Sequence, residues 1–466
     1  MRRSAVSGRR SPRIPGPRKK TAEAIHQEVR REIDGLLQVV FAQQHKTGGL
    51  NLEQVEMGMR DAMHRGGAAA LSQLLEQPVP EQRQRPCSCG QTARYVALRS
   101  RSILTVLGRA RIRRPYYWCD ACQHPQVPAD QQWDIEETEF SPGVRRMMAL
   151  VGQESSFDMG RRQLEILAGL KVTRKAVERI SEAIGADIQI REKERQQQAM
   201  QLHLPVVGGP PIPIMYAEMD GTGVPVVAAE TQGRAGKVAG QPARTREVKL
   251  GCVFTQTLLD KEGRPIRDPH STTYTGAIEN AESFGRRIYT EALRRGWDRA
   301  LKKVILADGA IWIWVLAELL FPGAIQIVDL YHAREHLWDM AAQLYPDDEP
   351  RQRRWAMVQE NRLENGHVAK IVATLRALTT EFPDLAQLNT EADYFERNAE
   401  RMRYPEFRRQ GLFVGSGVIE AGCKMIGARL KPSGTLWTVR GANAILALRC
   451  HMRSNRFDDY WEARRA

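Results

Sequence analysis

IPIMYAEMD, residues 212–220, is an apolar run that ends on a carboxylate and is followed by Gly221. KKVILAD, residues 302–308, repeats the arrangement, with Asp308 followed by Gly309. Short apolar runs bounded by turn residues read as buried strands. AIQIVD, residues 324–329, is a third run, and the helix-patterned YHAREHLWDMAAQL (331–344) follows it almost at once. Between the first two runs lie VPVVAA (224–229) and KLGCVFTQTL (249–258), also strand-like, with DKEG (260–263) as a turn. The stretch near 274–294 is predicted to be a helix that buries Ala277, Ile278, Ala281, Phe284 and Ile288. Strands alternating with helices imply a mixed α/β sheet with helices on its faces.

Ligands of open α/β sheets sit beyond the carboxyl ends of the strands. Asp220 and Asp308 are therefore candidates to share a cation, and Glu420 would approach from a helix opened by Ser416 or Gly417. Oxygen-only donors suit Mg²⁺ or Mn²⁺. Three acids can hold two such ions about 4 Å apart for in-line displacement at a phosphodiester. An Asp before Gly at a strand end is also ordinary turn chemistry, and residue type alone does not single out Glu420. Lys424, Arg429 and Lys431 follow it and are candidates to hold phosphate. His332, Glu335 and His336 spell HxxEH, an inverted zinc-hydrolase pattern. The alternative has His332 packing at the helix start and His336 on the surface. Asp329, just upstream, suits an acid pointing at a nucleic-acid site.

Outward from this core, residues 191–211 are first Gln-rich and then Pro/Gly-rich, which marks a domain boundary. Residues 140–195 read as helical. QLEILAGL (163–170) closes one helix, and KAVERISEAIGADI (175–188) opens the next, with Thr173 as cap and Ala176, Val177, Ile180 and Ile184 on one face. A helix-turn-helix and a plain helical hairpin both fit. In the first, Arg174, Lys175 and Arg179 would face phosphate or base edges. Residues 81–135 form a zinc-ribbon-like segment, with Cys87 and Cys89 in a CxC pair and Cys119 and Cys122 in a CxxC pair. Four thiolates suit a structural tetrahedral Zn²⁺; incidental free thiols are the other reading. Residues 22–80 are expected to be helical, with helices over 22–41 and near 52–63. Residues 1–21 read as a disordered basic arm.

The chain has 466 residues and a net charge of +14, which favours polyanions such as nucleic acid. The basic residues fall in acid-free runs, one of which contains Arg111, Arg113 and Arg114. The most apolar stretch, IWIWVLAELLFPGA (311–324), carries Glu318 and Pro322 and is too short to cross a bilayer. Neither a signal peptide nor a disulfide framework is evident, so a cytoplasmic, nucleoid-associated protein with no membrane partner is expected.

YAEMDGTGVPV (216–226), VILADGAIWIW (304–314), FPGAIQIVDLYHAREHLW (321–338) and GSGVIEAGCKMIGARLKPSGTLWTVRGANAILALR (415–449) together resemble the ISKra group of bacterial insertion-sequence transposases. That group is similar to the Mutator-like DDE transposases. The resemblance implies an RNase H-like catalytic domain over 212–455, interrupted by a helical insertion at about 338–405. It implies Asp220, Asp308 and Glu420 as catalytic ligands of two Mg²⁺ or Mn²⁺ ions, with Asp329 and His332 in support. It also implies double-stranded DNA partners, namely the element's terminal inverted repeats and the target, and a homodimer or larger homo-oligomer. A DNA-binding regulator with an inactive nuclease domain, and an RNase H-like structure-specific endonuclease, are the alternatives.

Overall fold

The computed structural model describes residues 22–47, 51–205, 207–236 and 241–464. The basic arm expected over 1–21 lies outside them. The chain divides into two compact units, Met1–Gly152 with Phe157–Ile180, and Gln153–Ser156 with Ser181–Ala466.

In the first unit, helices α1 (Ala22–Thr47) and α2 (Leu52–Leu74) pack together and run further than their sequence pattern predicts. The Asn51 carboxamide caps α2 by accepting the Gln54 N–H at 3.3 Å. Strands β1 (Gln84–Pro86), β2 (Thr92–Thr105), β3 (Gly108–Cys119) and β4 (His124–Gln126) form an antiparallel sheet in chain order. The β2–β3 hairpin is long, paired from Arg94–Trp118 to Thr105–Gly108. One end of it has an apolar core of Ile103, Ala110, Ile112 and Ile135, covered by Leu71, Leu75 and Trp133. Helices α3 (Pro128–Gln132), α4 (Pro142–Glu154), α5 (Phe157–Ala168) and α6 (Arg174–Met200) follow along the chain.

Arg114 corrects the expectation of a DNA contact. It is 7% exposed, and its guanidinium grips the Asp130 carboxylate at 2.9 and 3.1 Å and the Arg99 carbonyl at 2.9 Å. Alternation along β3 explains this: Arg111 and Arg113 face solvent while Ile112 and Arg114 face inward. Arg114→Ala leaves Asp130 buried with half its partners, and the expected cost is about 3–5 kcal/mol. A fall in melting temperature large enough to unfold the first unit at 37 °C checks this; an unchanged melt would show the pair to be dispensable.

At α5–α6 the predicted inner face is observed. Ala176, Val177, Ile180 and Ile184 are buried, and the Thr173 hydroxyl accepts the Ala176 N–H at 3.1 Å. Arg174, Lys175 and Arg179 are exposed, with Lys175 paired to Glu178 at 2.9 Å.

The second unit is built on a mixed five-stranded sheet. Its strands are β5 (Ile212–Pro225), β6 (Thr245–Gln256), β9 (Thr273–Ala277), β10 (Ala300–Ala307) and β11 (Ile325–Val328), in the order β11-β10-β5-β6-β9. The short hairpin β7 (Leu258–Leu259) and β8 (Pro265–Ile266) carries the expected DKEG turn, in which Asp260 Oδ1 accepts the N–H groups of Glu262 and Arg264. β5, β10 and β11 are parallel, whereas β6 is antiparallel to both β5 and β9. The centres of β5 and β10, Met215–Met219 and Val304–Ala307, are buried on both faces, which is why they read as apolar runs, Glu218 apart.

Helix α7 (Ala281–Arg294) starts later than predicted. Thr273–Ala277 is the edge strand β9 instead, its Thr-Tyr-Thr run favouring extended backbone, and Asn280 caps the helix by accepting the Ser283 N–H at 2.8 Å. α7 lies so close to β6 that a Cβ on Gly251 would meet Ile288 Cδ1 at 2.7 Å. Helices α8 (Ile311–Leu320) and α9 (Leu330–Leu344) follow β10 and β11. An excursion of helices α10 (Glu349–Glu364), α11 (Val368–Glu381), α12 (Gln387–Asn398) and α13 (Tyr404–Arg409) comes next. The chain closes with α14 (Gly417–Leu430), α15 (Val439–Arg453) and α16 (Phe457–Ala463). Among the described residues, no helix is long and apolar enough to cross a membrane.

Candidate functional site

Strand register brings the sequence-predicted acids to one edge. Ala307 pairs with Met219 on one side and Val328 on the other. One residue further along, Asp220, Asp308 and Asp329 stand on three neighbouring parallel strands about 4.8 Å apart; Asp308 and Asp329 follow the ends of β10 and β11, but β5 runs on to Pro225 against β6, so Asp220 does not end its strand as expected. Asp220 and Asp308 are half-buried. Asp220 Oδ1 accepts its neighbour Gly221's N–H at 2.5 Å, and Oδ2 accepts the Cys423 thiol at 3.1 Å. Asp308 Oδ1 accepts the Ala310 N–H at 3.0 Å. Burial raises the proton affinity of Asp220 above the ordinary carboxylate range, and the charge of Asp308 adds to this. The Cys423 thiol, the Gly221 N–H and His332 oppose it.

Asp329 corrects its expected role. It is 1% exposed and does not point at an open surface. One carboxylate oxygen caps α9 by accepting the His332 N–H at 2.8 Å, and the other accepts the Ser416 N–H. Asp329 thus ties the start of α14 to the end of β11. Glu218, which the sequence reading missed, makes a second tie: its Oε2 accepts the Ile419 N–H at 2.8 Å. Glu218 lies two residues before Asp220, so the two side chains share a face of β5. Together the ties fix the first turn of α14, where Glu420 stands exposed. Cys423 and Lys424 follow at i+3 and i+4 on the same side of that helix.

Glu218 is fully buried, and burial pushes its carboxyl up to about 8; Asp329 and Glu420 add to the rise, while the Ile419 N–H and the Cys252 thiol oppose it. A carboxyl raised in this way favours the fold when protonated. Its contribution is complete below the unfolded value of 4.5 and is lost as pH climbs through about 8. Glu218→Gln, which mimics the protonated acid, is expected to be more stable than the parent at pH 8.5 by on the order of 2–4 kcal/mol and nearly equal to it at pH 5. Calorimetric melts of both proteins across that range check this, and parallel curves would refute it.

The basic residues after Glu420 divide. Lys424 is exposed, and Lys431 reaches back to the Thr222 hydroxyl at 2.5 Å, two residues beyond Asp220. Arg429 is 4% exposed and stacks over Trp437 at 5.0 Å, so it cannot offer its charge to a polyanion, contrary to expectation. Burial, aided by Arg449, lowers its guanidinium to about 10. The HxxEH pattern does not assemble a metal site. His336 Nδ1 is engaged by Glu391 at 2.7 Å, Glu335 is 74% exposed, and His332 Nδ1 lies 3.4 Å from Glu335.

A separate site lies at the other end of the β2–β3 hairpin. The Sγ atoms of Cys87, Cys89, Cys119 and Cys122 all lie within 4.8 Å of one another. Cys87 is 3.6 Å from Cys122, and Cys89 is 3.7 Å from Cys119. Tetrahedral Zn–S bonds of about 2.3 Å require sulfurs roughly 3.8 Å apart, so this spacing fits such an ion. The Cys89 backbone N–H holds the Cys87 thiol down to about 6. Burial, with Cys87 alongside, pushes Cys122 up to about 12. Among the described residues this quartet is the one cluster of three or more such ligands at that spacing. Asp220, Asp308 and Glu420 are therefore not all within it.

No family model and no curated protein matches the chain. Among solved structures it is similar to a chain of the Drosophila P element transposase strand transfer complex, at 10% identity and a TM-score of 0.24, over 71% of this chain and 81% of that one. A likeness this distant assigns no activity.

Proposed function

We propose that the chain is a DDE transposase whose RNase H-like domain cuts and joins DNA. More particularly, it is a transposase of the ISKra group, acting on the terminal inverted repeats of its own insertion sequence. The observation that carries this reading is the register of β5 and β10, which sets Asp220, inside β5, beside Asp308, the residue after β10, with Glu420 on the first turn of α14. The strand order, with an antiparallel pair on one side of β5 and a parallel pair on the other, supports an RNase H-like sheet.

Asp220, Asp308 and Glu420 would hold two Mg²⁺ or Mn²⁺ ions. Their donor set is oxygen only, which suits such hard cations. When bound, the ions supply activation of the attacking oxygen and stabilisation of the leaving one. The protein's own groups then have simple tasks. Asp329 and Glu218 keep Glu420 over the strand ends, and Lys424 and Lys431 offer charge to the DNA backbone. Arg111, Arg113, Arg174, Lys175 and Arg179, on other parts of the chain, would hold flanking duplex. Zn²⁺ on the cysteine quartet would be structural, because four protein ligands leave no open position. Pairing of two element ends implies a homodimer or larger assembly.

The test is incubation of the full chain with Mg²⁺ and duplex DNA ending in the repeats that flank its gene. Cleavage that frees a 3′-hydroxyl, followed by joining to a second duplex, is expected. Cutting of branched DNA without joining would replace this reading with a structure-specific endonuclease. Binding with no cleavage at any metal concentration would replace it with a regulator.

A further inference from the structure

We infer that the helical excursion forms part of the framework of the catalytic site, with Tyr394 as a positioning residue for Asp308 and the His336–Glu391 pair as its seat. The inference rests on the reading of Asp308 as a metal ligand. The Tyr394 hydroxyl, from α12, donates to the main-chain carbonyl of Asp308 at 3.3 Å, across 86 residues of sequence. The next residue, Gly309, has φ +96°, and a Cβ there would lie 2.8 Å from Tyr394 Cε2 and 2.9 Å from its hydroxyl. The ring is therefore seated directly on the turn that aims the Asp308 carboxylate. Only glycine meets both the left-handed backbone and the close approach.

The ring is itself held from behind. His336 stacks on it with centroids 4.1 Å apart and planes 16° from parallel. His336 Nδ1 lies 2.7 Å from Glu391 Oε2, and Glu391 Oε1 accepts from the Gln387 carboxamide at 2.8 Å. The edge of His332 meets His336 at 4.9 Å, and His332 acts electrostatically on Asp220. Tyr394 and Glu391 are 9% and 6% exposed. An apolar residue would fill this space without the desolvation cost of a buried carboxylate. The polar chain Glu391–His336–Tyr394 instead ends on the backbone of a candidate ligand.

Tyr394→Phe and Glu391→Gln test this in the full chain, with Asp308→Asn alongside. Groups that orient metal ligands are worth about 10–100-fold in metal affinity or activity. Tyr394→Phe should melt within a few degrees of the parent and weaken Mn²⁺ binding, read from the free-Mn²⁺ paramagnetic resonance signal, by about 10-fold. The turnover number of strand transfer should fall by a similar factor, with KM for repeat-ended DNA unchanged. An inactive Asp308→Asn beside a Tyr394→Phe that matches the parent in Mn²⁺ affinity and turnover overturns this inference alone. An Asp308→Asn as active as the parent overturns the catalytic reading beneath it. Should Tyr394→Phe not fold, Glu391→Gln retains the ring and carries the same two outcomes.

Discussion

Asp220→Asn is expected to lower metal-dependent strand transfer by at least about 1,000-fold, equivalent to roughly 4 kcal/mol of transition-state stabilisation. Asn keeps the volume of the side chain and one acceptor oxygen, so the Gly221 N–H can still be satisfied. What it removes is the charge that a hard cation requires. Repeat-DNA binding should change little, because the exposed basic groups Lys424, Arg111, Arg113, Arg174 and Arg179 are untouched. Asp308→Asn and Glu420→Gln should behave alike, since the three acids are proposed to act as one set. Gel assays of cleavage and joining, beside a melt to establish folding, make the comparison. A folded Asp220→Asn protein joining ends at the parental rate would end the DDE assignment.

Loss of zinc is the second large effect. The cysteine end of the β2–β3 hairpin has a buried cluster of only Cys87, Ala93, Tyr117 and Cys119, so half of that small core consists of proposed ligands. The other end is held by Ile103, Ala110, Ile112 and Ile135 against α2 residues. Zinc in small Cys-rich modules contributes on the order of 10 kcal/mol of binding free energy that is also folding free energy. Cys119→Ser, or a strong chelator, should therefore release one zinc per chain and expose the amides of residues 84–95 and 115–126 to hydrogen exchange. Amides of 101–112, packed on their own core, should stay protected. A parent protein that carries no zinc, or a chelated one whose exchange pattern is unchanged, would show that the four thiols need no metal.

Much of the second unit was legible from the sequence because its central strands are buried on both faces. Tyr216–Met219 and Val304–Ala307 are fully buried, and such strands must be continuously apolar whatever their neighbours. Asp220 and Asp308 were legible for the same reason: each is the first charge after such a buried run, apart from Glu218. That residue is a tie to α14. Its signal was its position, a lone carboxylate inside an apolar strand. β9 was misread because Ala277, Ile278 and Ala281 suit a helix face, while its pairing to β6 is a long-range fact. Arg114 and Arg429 were misjudged because a basic run does not state which members face inward.

By itself, then, the sequence determined most of the elements of the second unit, the four cysteines in their two pairs, and the two aspartates that follow the buried runs of β5 and β10, because local periodicity and burial write those features into consecutive residues. The tertiary structure decided which strands neighbour one another, that Asp329 and Glu218 anchor α14, and that Tyr394 reaches Asp308 from another helix. Those relations join residues dozens to hundreds of positions apart. They are set by which faces can be buried together, and no local stretch of chain carries that information.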